Sequence, residues 1–105
     1  MMIRIHVIYK NHMISSISIF GHANYSAYGK DIVCAAVSAT YLCTVNGILK
    51  LDSNSISVNS NEDMQEIDVN SDDKVVMTLL QNMIECFSDL EKQFPKNIKL
   101  DKEEE

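Results

Sequence analysis

Apolar and polar residues alternate from the start of the chain, with Ile3, Ile5, Val7 and Tyr9 interleaved with Arg4, His6 and Ile8. A period of two is that of a half-buried strand. Lys10-Asn11-His12 offers turn chemistry, and the pattern resumes from Met13 to Phe20, where Ile17 and Ile19 alternate with Ser16 and Ser18. This predicts an N-terminal β-hairpin with one face buried, ending near Gly21. Residues 21 to 30 contain two of the three glycines together with His22, Asn24, Tyr25, Ser26 and Tyr28, show no sustained period, and read as a loop. Asp31 is a candidate N-cap for a helix from Ile32 to Lys50 that is apolar nearly all round, the pattern of a central buried helix. Asn46-Gly47 interrupts this segment, but Ile48, Leu49 and Leu51 continue it.

A second hairpin is predicted from Ser55–Asn59 and Met64–Asn70, with Ile56, Val58, Ile67 and Val69 inward and residues 59–63 as the turn. Asn70-Ser71-Asp72-Asp73 then supplies an N-cap and early negative charge for a helix in which Val76, Leu79, Leu80, Met83, Phe87 and Leu90 keep the helical period. Phe94-Pro95 closes that helix. Ile98 and Leu100 allow a short edge strand, and residues 101–105 form a charged tail with nothing to bury. The order ββαββα indicates an α+β fold: one domain over residues 1–100, a small β-sheet packed against a buried central helix and a C-terminal amphipathic helix.

Composition agrees with a packed globular domain, at 46% hydrophobic and 23% charged residues over a length of 105. No apolar run is expected to span a bilayer, and residues 1–9 do not form a signal-peptide core, so the expected location is the cytoplasm, with no membrane partner. Three cysteines, Cys34, Cys43 and Cys86, match no Cys-x-x-Cys spacing, which argues against a disulfide framework and a zinc site, and no metal or cofactor is implied. A net charge of −6 gives no electrostatic basis for nucleic-acid binding.

The chemistry-bearing pair is His22, at the start of the glycine-bracketed loop, and Cys34, in the first turn of the following helix. A thiol in that position faces unpaired N–H groups and the positive end of the helix dipole, which favour thiolate. A neutral imidazole beside it takes the thiol proton and later protonates the leaving amine, while the same N–H groups receive a developing oxyanion. The alternative is that Cys34 is a buried structural thiol, as cysteines often are, and Cys43 and Cys86, both mid-helix, keep that role. Cys43 lies on roughly the opposite side of the helix from Cys34. His6 and His12 read as strand and turn residues.

Gly21-His22-Ala23, then Tyr28-Gly29, then Asp31-Ile32-Val33-Cys34-Ala35-Ala36-Val37-Ser38 resemble the motif of the ribosomal-processing cysteine protease family, Prp. Val45-Asn46 and the order of elements extend the similarity over nearly the whole chain. The resemblance implies a catalytic dyad of His22 and Cys34. It implies as substrate the N-terminally extended form of a large-subunit ribosomal protein, cut after an aromatic residue, and it implies a homodimer. Asp31 and Ser38 match the family pattern: Asp31 either caps the helix or orients His22, and Ser38, four residues after Cys34, supports that helical face or makes a local hydrogen bond. Gly21, Ala23, Tyr25, Tyr28 and Gly29 belong to a loop expected to fold over the peptide, with the glycines as hinges and the tyrosines as aromatic contacts.

Two other classes stand beside the protease. One is a non-catalytic ribosome-associated binding module with Cys34 packed in the core. The other is a redox-sensing thiol, which needs a resolving cysteine that neither Cys43 nor Cys86 is placed to supply.

Overall fold

A computed structural model describes residues 2–21 and 32–105. The first hairpin consists of β1 (Ile3–Lys10) and β2 (Met13–Phe20), joined by Asn11 and His12, both at positive φ (53° and 64°). Two consecutive left-handed residues give the turn a twist that matches the flanking strands. Opposite Ile8 and Tyr9 the register slips: Ile8 pairs with Ser16 and Tyr9 with Ile14, so Ser15 is an extra residue on β2. This bulge turns Ile14 and Ile17, three residues apart, to the same buried face, where simple alternation would have separated them.

Helix α1 (Ile32–Leu51) follows, then β3 (Ile56–Ser60), β4 (Met64–Val69), α2 (Lys74–Gln93) and β5 (Ile98–Glu104). The five strands form one sheet in the order β3-β4-β2-β1-β5. All neighbours are antiparallel except β1 and β5, which are parallel. Ile3, Ile5 and Val7 of β1, Ile17 and Ile19 of β2, Ile67 of β4 and Ile98 of β5 share one core with Val37, Tyr41 and Ile48 of α1 and Leu80, Met83 and Phe87 of α2. The α+β class and the single compact domain expected from the pattern are therefore observed.

Asp73 caps α2, its carboxylate accepting hydrogen bonds from the N–H groups of Val75 and Val76 at 3.0 and 3.1 Å. The buried residues of α2 keep the helical spacing, as expected. α1 differs from expectation. Only one of its sides is buried, while Ile32 (61% exposed) and Leu42 (53%) face outward together with Ala35, Ala39 and Cys43. A helix lying on one face of a sheet has a single side to bury, whatever its composition. α1 is also 20 residues long with a mean hydropathy of 1.8, long and apolar enough by length and composition to cross a membrane, contrary to the expectation that no such run exists. In the fold its Val33, Cys34, Val37, Tyr41, Val45 and Ile48 line the protein core.

The C-terminus is the second difference. Residues 101–104, expected as a tail, continue β5 beside β1. Side-chain pairs hold them there: His6 Nε2 lies 3.0 Å from Glu103, His12 Nδ1 3.6 Å from Glu104, and Lys10 Nζ 3.7 Å from Glu105. The backbone N–H of Glu105 also donates to the Tyr9 carbonyl at 2.7 Å. Charged residues need no core to join a strand at the edge of a sheet, because main-chain bonds and cross-strand charge pairs suffice.

Candidate active site

Cys34 is the third residue of α1, within the first turn, where backbone N–H groups lack intrahelical acceptors. That turn carries no acidic side chain, so no carboxylate on it opposes a negative charge at the helix start. The thiol is 1% exposed and belongs to the core cluster. Ser38 is half-buried on the same helix, and Tyr41 is buried on it, where desolvation raises its phenol pKa above the usual value. Cys43 is exposed, as half a turn of rotation from Cys34 requires, and not the packed hydrophobe expected of it; Cys86 is half-buried. None of the three forms a disulfide.

The sheet shows which end of the molecule Cys34 occupies. β3 begins level with Ser16, since Ser57 and Ser16 both pair with Asp68, and it is reached from the C-terminal end of α1 through residues 52–55. α1 spans about 30 Å, so its N-terminal turn lies toward the opposite end of the strands, where β2 stops at Phe20. There the chain turns at Gly21 (φ 89°), whose N–H donates to the Asp63 carbonyl at 3.1 Å. A Cβ at Gly21 would sit 3.0 Å from the Met2 carbonyl oxygen, so both the backbone angle and the space call for glycine. Asn61 braces the adjoining turn, its side-chain oxygen accepting from the N–H groups of Asp63 and Met64 at 2.8 and 2.9 Å. Sequence reasoning placed this turn at residues 59–63 but could not bring it against Gly21, because that contact is made by the pairing of β2 with β4.

His22, Ala23, Tyr25, Tyr28, Gly29 and Asp31 lie outside the described residues. The two other histidines are placed. His6 is on β1 and His12 in the hairpin turn, and each ring approaches a glutamate of the C-terminal segment. A cavity of about 570 Å³ lies at that same hairpin end, between Tyr9, Met13 and Ile14 and the α2 residues Met77 and Gln81, and Cys34 is not part of its lining. Burial, with Glu104 and Glu85 adding, raises the Tyr9 pKa despite the hydrogen bond that Tyr9 donates to Gln81 at 3.4 Å. Among the described residues no cluster of three metal-ligating side chains occurs.

An α+β domain that sets a cysteine in the opening turn of its first helix, at the end of the sheet where β2 stops and the chain turns at Gly21, has the frame of a thiol-dependent enzyme. The chain belongs to the family described as cysteine protease Prp, which matches residues 2–99. A Staphylococcus aureus (strain Mu50 / ATCC 700699) relative named ribosomal processing cysteine protease Prp is 33% identical over 85 residues, covering 76% of this chain and 78% of its own. Among solved structures, a Streptococcus mutans protein superposes with a TM-score of 0.88 at 27% identity, covering 99% of this chain and 96% of its own. The essential ribosomal processing protease Prp of S. aureus, solved in complex with a substrate peptide, superposes with a TM-score of 0.85 at 27% identity, covering 96% of this chain and 99% of its own.

Proposed function

We propose that this protein is a cysteine endopeptidase that removes the N-terminal extension of a large-subunit ribosomal protein, with Cys34 as nucleophile and His22 as base. The observation that carries this is the position of Cys34 in the first turn of α1, within a chain matched to the protease family over residues 2–99. His22 takes the thiol proton, the thiolate sulfur bonds to the scissile carbonyl carbon, and the helix-terminal N–H groups hold the resulting oxyanion. Collapse of this adduct breaks the C–N bond as His22 returns its proton to the leaving amine. Water, deprotonated by His22, then attacks the thioester and releases the acid and Cys34. A relative solved with a covalently linked product peptide supports covalent catalysis. His6 and His12, each beside a glutamate, leave His22 as the remaining histidine of the chain.

In this mechanism Asp31 and Ser38 support the two catalytic groups, and Gly21, Ala23, Tyr25, Tyr28 and Gly29 belong to the peptide-binding loop. The working place is the cytoplasm. The outward stripe of Ile32, Ala35, Ala39 and Leu42 on α1 supports a homodimer, because an apolar helix face is stabilised by a covering copy.

The test is incubation with an N-terminally extended ribosomal protein and mass analysis of the product. Cys34→Ser abolishes cleavage while leaving folding and peptide binding intact, and His22→Ala lowers turnover by about 10²–10⁴-fold. The rival binding module, favoured by the 1% exposure of Cys34, predicts binding of the same protein with no cleavage even by the unmodified chain. Undiminished cleavage by pure Cys34→Ser removes this cysteine from the mechanism.

A further inference from the structure

The two margins of the sheet are built differently. β5, at one margin, is charged along its length through Lys99, Asp101, Lys102, Glu103 and Glu104. Its outward main chain is also covered in part, since the Leu100 N–H donates to the Glu91 carboxylate of α2 at 2.9 Å. Both are devices that discourage the addition of another strand. β3, at the other margin, has neither. No charged residue and no proline occurs between Asp52 and Glu62, and no helix carboxylate reaches the β3 main chain among the described residues.

The hydrogen-bond pattern identifies which groups β3 presents outward. Asn70 N–H donates to the Ser55 carbonyl at one end of the β3–β4 ladder, and Asn61 N–H to the Met64 carbonyl at the other. In an antiparallel ladder the mutually bonded pairs alternate, so between these ends Ser57 bonds with Asp68 and Asn59 with Glu66. The N–H and C=O groups of Ile56, Val58 and Ser60 consequently point away from the sheet. These groups form a row that an extended chain can pair with. The row runs toward the Cys34 end of the sheet, because the β3–β4 turn ends at Asp63, whose carbonyl receives the Gly21 N–H just past the end of β2. Val58 faces the helix side of the sheet yet is 37% exposed, because among the described residues no further strand covers it.

We infer that the β3 edge, through the main-chain groups of Val58 and Ser60, is the rail on which the substrate peptide binds as an added strand, its alternate side chains falling beside Val58. The inference rests on the protease reading and deepens it. Strand addition gives affinity through the main chain and takes its specificity from every second side chain. It suits a segment that must be extended to reach a thiol at a helix terminus. It requires a flexible peptide, so a folded ribosomal protein without its extension is not a ligand. The rail also prefers uncharged or apolar residues at the positions that meet Val58.

The experiment uses the full chain and a synthetic peptide spanning the junction between extension and mature ribosomal protein, with binding read by fluorescence anisotropy and cleavage by mass spectrometry. Val58→Pro removes an outward N–H and leaves the bonds to β4 in place, so KM rises about tenfold with kcat little changed. Ser60→Pro does the same. A companion series keeps the protein unaltered and methylates successive backbone nitrogens of the peptide, and affinity then falls at every second position. Affinity that is indifferent to methylation, or falls without that alternation, overturns the rail, as does Val58→Pro with unchanged KM. A loss of dimer in Val58→Pro with peptide binding intact also overturns it, by showing that the edge serves a second copy of the chain. Alternating sensitivity in binding without any cleavage by the unmodified protein keeps the rail and refutes the protease reading instead.

Discussion

Gly21 and Gly47 offer the same substitution, glycine to alanine, with opposite expected signs. Gly21 has φ 89°, and an added Cβ would lie 3.0 Å from the Met2 carbonyl oxygen. Left-handed backbone costs a residue with a Cβ about 1–2 kcal/mol. The oxygen it meets belongs to the main chain just before β1, where Ile3 N–H is bonded to the Asn97 carbonyl at 2.8 Å, so it cannot rotate aside as a side chain would. Together these make Gly21→Ala destabilising by about 2–3 kcal/mol. Gly47 lies inside α1 with nothing within 4 Å of an added Cβ. There alanine restricts the unfolded chain without strain in the helix, so Gly47→Ala stabilises by about 0.5–1 kcal/mol. Urea unfolding of the two variants beside the unmodified protein measures the difference, and the midpoints should move in opposite directions at constant slope. In a thermal scan, Gly21→Ala should lower Tm by about 10 °C or more. Midpoints that shift the same way, or a Gly21→Ala midpoint indistinguishable from that of the unmodified protein, would refute the reasoning.

Alkylation of the thiols should follow exposure: at concentrations where the chain is monomeric, iodoacetamide modifies Cys43, on the outward face of α1, before Cys34, as mass mapping will show, and the proposed homodimer slows this labelling by covering that face. Tyr9 and Tyr41 both have raised pKa values, so the folded state holds their protons more tightly than the unfolded state does. Their contribution to stability is fully present below the unfolded value of 10.0 and is lost as the pH rises through the folded values; Tm measured upward from that pH should fall less steeply in Tyr41→Phe. Asp73→Ala removes the cap from Val75 and Val76 and should cost about 1 kcal/mol in urea unfolding, with cleavage unaffected at temperatures where the variant is folded.

Local pattern determined most of the elements. Period two in β1, the helical spacing of Val76, Leu80, Met83 and Phe87, and the turn residues before α2 all act over a few neighbours, and a single stretch of sequence contains them. Residues 21 to 38 likewise carried the family resemblance in one continuous run. Other features depended on partners distant in the chain. Ile14 shares a face with Ile17 only because β1 forces a bulge at Ser15. The charged C-terminus becomes a strand because β1, more than ninety residues away, offers it a parallel edge and His6 a partner for Glu103. α1 is apolar on nearly every side, so its composition could not show which side the sheet would cover; packing buried Cys34 and left Cys43 exposed. Sequence thus determined the elements and the candidate nucleophile, and tertiary structure decided strand order, the place of β3 at the sheet margin and the burial of that thiol, because propensity is set by neighbours along the chain whereas register and exposure are set by surfaces that meet only after folding.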